Sequence, residues 1–341
     1  MDESLNVAVI GVGNWGRNLL RNFAAAERCR VTAICDADAA TLAKQARLVP
    51  DARSTANVDD VLTDDVHAVA IATKAATHHD LAARALEAGK HVYVEKPLCL
   101  NAADAEHLRD LADANQRKLM VGHLLVYHPC VERLGRMIAE NELGDVRYMY
   151  TQRVNLGIVR DDENAWWSLA PHDVAVICHL FTAEPAEISA YGQSYLQPGI
   201  EDVVFATLRF TDGRMAHIHV SWLDPHKIRK MTVVGTQRMV TFDDMEGAEK
   251  IRIYDKGADV NEPYETFARA VSIRSGDILI PRVPAAEPLR IEVQHFVDGA
   301  LDDRPIRTDG ADGARVVRVL EAGAQSIRRK GEPVAITGGA A

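Results

Sequence analysis

The segment NVAVIGVGNWGRNLLRNF, residues 6–23, holds three glycines at a spacing that few backbones can use. A short apolar run ends at Gly11, the pattern Gly11-x-Gly13-x-x-Gly16 follows, and an amphipathic stretch begins at once. Strand, Gly-rich turn and helix in that order form the opening βα unit of a dinucleotide-binding sheet. Gly11 permits the tight turn, Gly13 lets the backbone approach a pyrophosphate, and Gly16 lets the helix pack closely on the strand. The unpaired N–H groups at the helix start, in the loop that carries Asn14 and Trp15, face the anion. The next apolar run, RVTAICD, closes on Asp36, 20 residues past Gly16. A carboxylate there accepts hydrogen bonds from the adenosine ribose hydroxyls and repels a 2′-phosphate, and residues 37–40 supply no arginine. The expected cofactor is NAD in preference to NADP.

The alternation continues through the first third of the chain. HAVAIAT, HVYVEKP and KLMVGH are nearly continuous apolar runs, with helical patterns between them at 77–88 and 102–115. Strands of that texture, alternating with helices, predict a doubly wound parallel sheet with right-handed crossovers. Ligands bind beyond the carboxyl ends of such strands, where HVYVEKP stops on Glu95-Lys96-Pro97. Pro97 restricts Lys96 to extended backbone angles. A lysine is costly to desolvate unless its charge or its proton is used. Beside an oxidised nicotinamide its amine shifts toward deprotonation and can exchange a proton with a substrate hydroxyl. A solvated lysine at a strand end is the plainer alternative.

After His123 the texture changes. A helix is predicted near 129–140, and LGDVRYMYTQRVNL opens a strand-rich region. DVVFATLRFTDGRMAHIHVSW reads as a hairpin turning on Thr211-Asp212-Gly213-Arg214, and KMTVVGTQRMVTFDD as a second. Helices return at 291–301 and 313–329, while 255–288, rich in proline, glycine and charge, reads as a long, partly irregular excursion. The expected fold class is α/β: a Rossmann domain over 1–123, then an α+β domain with a mostly antiparallel, open-faced sheet over 124–341. A chain of 341 residues with 47% hydrophobic content exceeds one ordinary core.

The net charge of -10 offers no polyanion-binding surface, so nucleic acid is not an expected partner. The five cysteines are scattered without C-x-x-C spacing, as thiols of a reducing cytoplasm are. The N-terminus enters a strand directly, unlike a signal peptide, and no apolar run approaches the roughly 20 residues that span a bilayer. No histidine set has zinc spacing, so no metal is expected. These features predict a cytoplasmic protein without a membrane partner.

VAVIGVGNWGRNLLRNF, IATKAATHH, GKHVYVEKPL and NELGDVRYM, with EPLRIEVQHF and VVRVLEAGAQS near the end, resemble the Gfo/Idh/MocA family, the glucose-fructose oxidoreductase and inositol dehydrogenase group. The resemblance covers nearly the whole chain. It implies NAD(P)-dependent hydride transfer at a hydroxyl-bearing carbon of a sugar, cyclitol or derivative, and an open sheet used to form a homodimer or homotetramer. It implies that Lys96 contacts the reacting hydroxyl and that His172 is the second catalytic group. Thr73 and His78 match the A-T-x-x-x-x-H segment that lies against the cofactor, although Lys74 stands where the family has proline. Glu95 joins them as part of the E-K-P motif. The family carries an Asp four residues before the histidine; this chain has Ser168, a departure that points to a differently tuned substrate.

In WWSLAPHDVAVICHL, Pro171 before His172 and Asp173 after it are consistent with a helix start, which would lower the histidine's pKa. Asp173 is an alternative acid or a charge complementing the helix dipole. His179 is expected in the packed body of the helix. Tyr127, Asn155 and Arg160, together with Ser168, are expected to meet substrate, Arg160 bidentately. Trp166 and Trp167 are read evenly as sugar-stacking or interface residues. The wording resembles members acting on nucleotide sugars, including oxidation at C3 of a UDP-linked hexosamine or its uronic acid. A cyclitol dehydrogenase, an aminosugar-pathway reductase and a non-catalytic cofactor-binding regulator are the alternatives.

Overall fold

The computed structural model describes residues 4–157, 159–260 and 271–337. In chain order the first elements are β1 (Leu5–Ile10), α1 (Gly16–Ala25), β2 (Cys29–Cys35), α2 (Ala39–Gln45), β3 (Arg53–Thr55), β4 (Ala68–Ile71), α3 (His78–Glu87), β5 (His91–Glu95), α4 (Ala102–Ala114) and β6 (Leu119–Gly122). They build a six-stranded sheet in the order β3-β2-β1-β4-β5-β6, parallel throughout. The winding reverses between β1 and β4, the switch point at which doubly wound sheets bind ligands. Val7, Val9, Val69, Ile71, Val92, Val94 and Val121 are fully buried, so the runs read as continuous because helices cover both faces. Asp38 caps α2, accepting from the N–H of Thr41 at 3.1 Å, and Asn101 caps α4, accepting from Asp104 at 2.9 Å. The short strand β3 carries no apolar run, which is why the sequence does not announce it.

The chain continues with α5 (Pro129–Ala139), β7 (Val146–Val154), α6 (Ala165–Leu180), β8 (Pro185–Gln193), β9 (Val203–Phe210), β10 (Met215–Ser221), β11 (Ile228–Gly235), β12 (Met239–Asp243), β13 (Ile251–Val260), β14 (Val271–Leu279), α7 (Pro288–Leu301), α8 (Gly310–Arg328) and β15 (Val334–Ala335). Nine strands form a second sheet in the order β14-β13-β12-β11-β7-β10-β9-β8-β15. It is antiparallel except where β10 runs parallel to β7. Both predicted hairpins are present. Helix α6 packs on β7, β9 and β10. Along β9, Val204, Ala206, Leu208 and Phe210 are buried while Phe205 is exposed, the alternation of a sheet covered on one face.

Within 255–288, β13 and β14 pair antiparallel, with Gly257 opposite Arg274, and residues 280–287 have no regular structure. Residues 261–270 lie outside the described residues. Two compact units are present, each built from more than one stretch of chain. One compact unit comprises Met1–Tyr127 with Ala286–Arg318, and the other His128–Ala285 with Val319–Gly338. The reason is α7, whose Leu289, Glu292, Val293, Phe296 and Val297 are buried. Phe296 meets Phe23 and Tyr93 edge-on at centroid distances of 6.1 and 5.8 Å, and Phe23 meets Tyr93 at 5.8 Å. This aromatic trio holds a C-terminal helix in the N-terminal unit. Among the described residues, no helix is long and apolar enough to cross a membrane.

Candidate active site

The glycines divide their work. Gly11 has φ +82°, and a Cβ on it would lie 2.8 Å from the Ala72 carbonyl carbon and oxygen. A Cβ on Gly16 would lie 1.8 Å from the Gly11 carbonyl oxygen. Beside Gly13 a Cβ would meet nothing within 4 Å, so this glycine keeps space open. Trp15 is the N-cap of α1 and makes no side-chain cap bond, leaving the first N–H groups of α1 without a side-chain acceptor. Its indole instead donates to Glu95 Oε1 at 2.5 Å. Asn14 is exposed. Asp36 Oδ2 accepts from Val12 N at 2.8 Å and Oδ1 from Asp38 N at 2.9 Å. Its carboxylate thus ties the loop after β2 to the Gly-rich turn and keeps further acceptor capacity for ribose hydroxyls. Open space at Gly13, a helix start that no side chain caps and a spare carboxylate acceptor are what a dinucleotide needs, and Gly13, Asn14, Trp15 and Asp36 are the residues that would hold it.

At the carboxyl end of β5, Glu95 is buried and Lys96 half-buried, followed by a cis Lys96–Pro97 peptide. His78 does not present itself to a cofactor. It is buried beneath the loop, with Nδ1 2.8 Å from the Pro97 carbonyl oxygen and Nε2 3.2 Å from that of Thr73. Burial lowers its pKa, so the ring is neutral and has one N–H to donate. With one N–H the imidazole donates to one carbonyl, and the shorter approach is to Pro97, so it ties the Lys96–Pro97 turn to α3. Thr73 is half-buried, with its hydroxyl 2.7 Å from that of Thr77.

His123 lies just past β6. It is buried, and neither ring nitrogen has a hydrogen-bond partner among the described residues. Burial and then the Lys96 charge push its pKa down to about 3. A neutral imidazole left unpaired beside Lys96 is costly, and a bound hydroxyl or amide would satisfy it. Tyr127 is corrected: it is a core residue of the first unit. Its hydroxyl lies 3.1 Å from Thr308 Oγ1, and Arg307 stacks 5.0 Å from its ring centroid. Its hydroxyl is occupied internally rather than presented to substrate.

In the second unit, Asn164 caps α6, accepting from Trp167 N at 3.0 Å, so the helix begins two residues before Trp167. Pro171 lies inside the helix and His172 follows it mid-helix, correcting the expectation of a helix start there. The cap four residues before Ser168 sets that start, since Ser168 N already bonds the Asn164 carbonyl at 3.0 Å. Ser168 and His172 share one face of α6. Asp173 is no free acid: Arg153 of β7 donates to it through Nε at 2.6 Å and Nη2 at 3.2 Å, with both residues buried. That fork locks the turn carrying His172 onto the sheet. His179 is exposed rather than packed. Trp166 is fully buried and donates to the Leu320 carbonyl at 2.8 Å, which excludes sugar stacking. Asn155 is half-buried, and Arg160 is exposed and paired with Glu163 at 3.0 Å. Sequence reasoning missed Arg153 and Glu292, although Glu292 sits at an apolar position of the α7 pattern, three residues after Leu289.

A parallel sheet with this turn and this acidic strand end is a dinucleotide-binding domain. Residues 5–123 match the family model described as an oxidoreductase family with NAD-binding Rossmann fold, and residues 131–241 match the GFO/IDH/MocA C-terminal domain. A UDP-N-acetylglucosamine 3-dehydrogenase from Acidithiobacillus ferrooxidans is 26% identical over 314 residues, covering 92% of this chain and 94% of the relative. A solved structure of that enzyme superposes with TM-score 0.81 at 25% identity, covering 96% and 98% of the two chains. The crystal structure of GenD2 from gentamicin A biosynthesis in complex with NAD superposes with TM-score 0.82 at 27% identity, covering 98% and 97%. The chain belongs to the Gfo/Idh/MocA family, and it is an NAD(P)-dependent dehydrogenase with an NAD-binding Rossmann domain.

Proposed function

We propose that the chain oxidises a ring hydroxyl of a sugar or sugar nucleotide, with C3 of a UDP-linked hexosamine or its uronic acid as the leading candidate. The observation that carries the reading is Lys96: a half-buried amine at the end of β5, on a turn clamped by His78 and beside the unpaired imidazole of His123. The relative that acts on UDP-N-acetylglucosamine supports the substrate class. Asp36 supports NAD over NADP, because a fixed carboxylate at the ribose repels a 2′-phosphate. Glu95, Thr73 and, through its clamp, His78 shape the cofactor side, while Asn155, Arg160, Ser168 and His172 serve the substrate.

Bound nicotinamide supplies the hydride acceptor. Lys96 receives the hydroxyl proton, and His172, held by the Arg153–Asp173 fork, is the second catalytic group. Free cysteines throughout the described residues suit a reducing cytoplasm. The exposed Tyr148, Tyr150, Tyr191 and Phe205 on the second sheet suit a homodimer or homotetramer.

The test is initial rates with NAD+ and NADP+ against UDP-sugars, free sugars and cyclitols. UDP-hexosamines with NAD+ are expected to be turned over fastest, and Lys96→Ala and His172→Ala to lower kcat by ~10²–10⁴-fold. Faster oxidation of a cyclitol would replace the sugar reading. Cofactor binding without turnover of any substrate would make the protein a regulator.

A further inference from the structure

Two carboxyl groups are buried together beneath the Gly-rich loop. Glu292 of α7 is wholly buried; its Oε2 lies 3.0 Å from the Tyr93 hydroxyl, and its Oε1 has no hydrogen-bond partner among the described residues. The same hydroxyl lies 3.5 Å from Glu95 Oε1. Glu95 is better supplied: Trp15 donates to Oε1 at 2.5 Å, the Lys96 amide to Oε2 at 3.3 Å, and the Lys96 charge favours its anion. A Cβ on Gly122 would come within 2.8 Å of the Tyr93 hydroxyl and 3.1 Å of Glu95 Cδ, so the neighbouring strand is cut back to admit the pair.

Tyr93 has one proton to give, and two buried anions this close cannot both persist. The donors and the cation gather on Glu95, which leaves the resident proton to Glu292. The groups facing the pair are Trp15 just before α1, Tyr93 of β5, Lys96 just past it, Tyr127 with Arg307 stacked on it, and each other. Of these, Tyr93 and Tyr127 are held in their neutral forms by burial.

We propose that Glu95 is the proton-linked counter-charge to the oxidised nicotinamide, and that Glu292, reached through Tyr93, is kept as an uncharged positioning acid so that Glu95 alone carries that charge. Trp15 joins this carboxyl to the loop that receives the dinucleotide. Burial pushes Glu95 up to about 7 and Glu292 well above the usual carboxyl range, so near neutrality Glu95 is half ionised and Glu292 is not. A cationic ring entering the site draws the proton off Glu95; the uncharged reduced ring does not. NAD+ affinity therefore rises with pH through neutrality, while NADH affinity does not.

The inference rests on dinucleotide binding and not on the sugar reading, so its test omits substrate. Calorimetric titration of the full chain with NAD+ and with NADH, in two buffers of different ionisation heat at pH 6 to 8, reads proton release directly. NAD+ is expected to release a fraction of a proton near pH 7 and NADH little. The NAD+ to NADH affinity ratio should climb about five- to tenfold across that range. In Lys96→Met, whose side chain has no proton to lose, the release should persist, and adding Glu95→Gln, whose amide oxygen can keep the Trp15 bond, should abolish it. Glu292→Gln, one neutral group for another, should leave its midpoint within about 0.3 pH units. Absence of release in the wild type, release lost in Lys96→Met or persisting in the double variant, or a midpoint falling by about a unit in Glu292→Gln would each overturn the proposal. Failure to bind either dinucleotide would sink the cofactor reading and this inference with it, whereas binding without release sinks the inference alone.

Discussion

His78 and Pro97 are joined across the carboxyl edge of the first sheet: the imidazole Nδ1 lies 2.8 Å from the proline carbonyl oxygen, with both residues buried. The bond fixes the residue that follows Lys96 rather than Lys96 itself. Replacing His78 by alanine leaves that carbonyl buried and unpaired, at a cost of ~1–3 kcal/mol. The lysine turn then loosens, and kcat is expected to fall by ~10–100-fold while the dissociation constant for NAD+ changes little. Steady-state rates beside direct cofactor titration separate the two effects; equal losses in both would show that His78 belongs to the cofactor site.

Gly13 and Gly16 predict opposite failures. Gly13→Ala puts a methyl group into open space, so the fold is expected to survive within ~1 kcal/mol while NAD+ affinity drops at least tenfold. Gly16→Ala drives a methyl group into the Gly11 carbonyl, and soluble expression or cooperative unfolding should be lost. Thermal melts and cofactor titration of the two variants side by side check this.

The buried Arg153–Asp173 fork predicts non-additivity. Removing either partner leaves an uncompensated buried charge and should cost ~3–5 kcal/mol. The double variant Arg153→Met with Asp173→Leu should recover most of that loss. Chemical denaturation of the four-member cycle measures the coupling, and additive losses would show that the fork contributes nothing as a pair.

Acid should weaken the fold in a defined window. Burial lowers His78 below its ordinary value, His91 to about 4 and His123 to about 3, against about 6.5 when unfolded. Because these folded-state values are depressed, their contribution is complete above 6.5 and is lost as pH falls toward them. Asp244, lowered to about 2 chiefly by its hydrogen bonds from His128 and Lys250 against the opposing effect of burial, acts in the same direction at lower pH. Glu95, raised by burial to about 7, and Glu292, raised by burial well above the usual carboxyl range, oppose this, since their contributions are present below about 4.5 and lost as pH rises. His91→Gln is expected to raise the Tm at pH 4.5 relative to that at pH 6.5, and Glu292→Gln to steepen the fall on acidification. An unchanged difference between the two pH values in His91→Gln would contradict the burial of that ring.

The local features of this protein are written in its sequence. The strand, the Gly11-x-Gly13-x-x-Gly16 turn and α1 are contiguous, so hydrophobic period and glycine spacing determine them before any tertiary contact forms. Asp36 at the end of β2 and Lys96 past the end of β5 follow from the same alternation, because each closes a buried run. Tertiary structure alone decided the rest. Glu292 meets Tyr93 across 199 residues, Tyr127 meets Thr308 across 181, and Trp166 reaches Leu320 across 154. His78, Tyr127 and Trp166 have the residue types of binding side chains, yet packing turned each toward an internal carbonyl or hydroxyl. A side chain's local pattern states which face of its element it occupies. What that face meets is set by the burial of distant elements, which must satisfy every polar group they enclose.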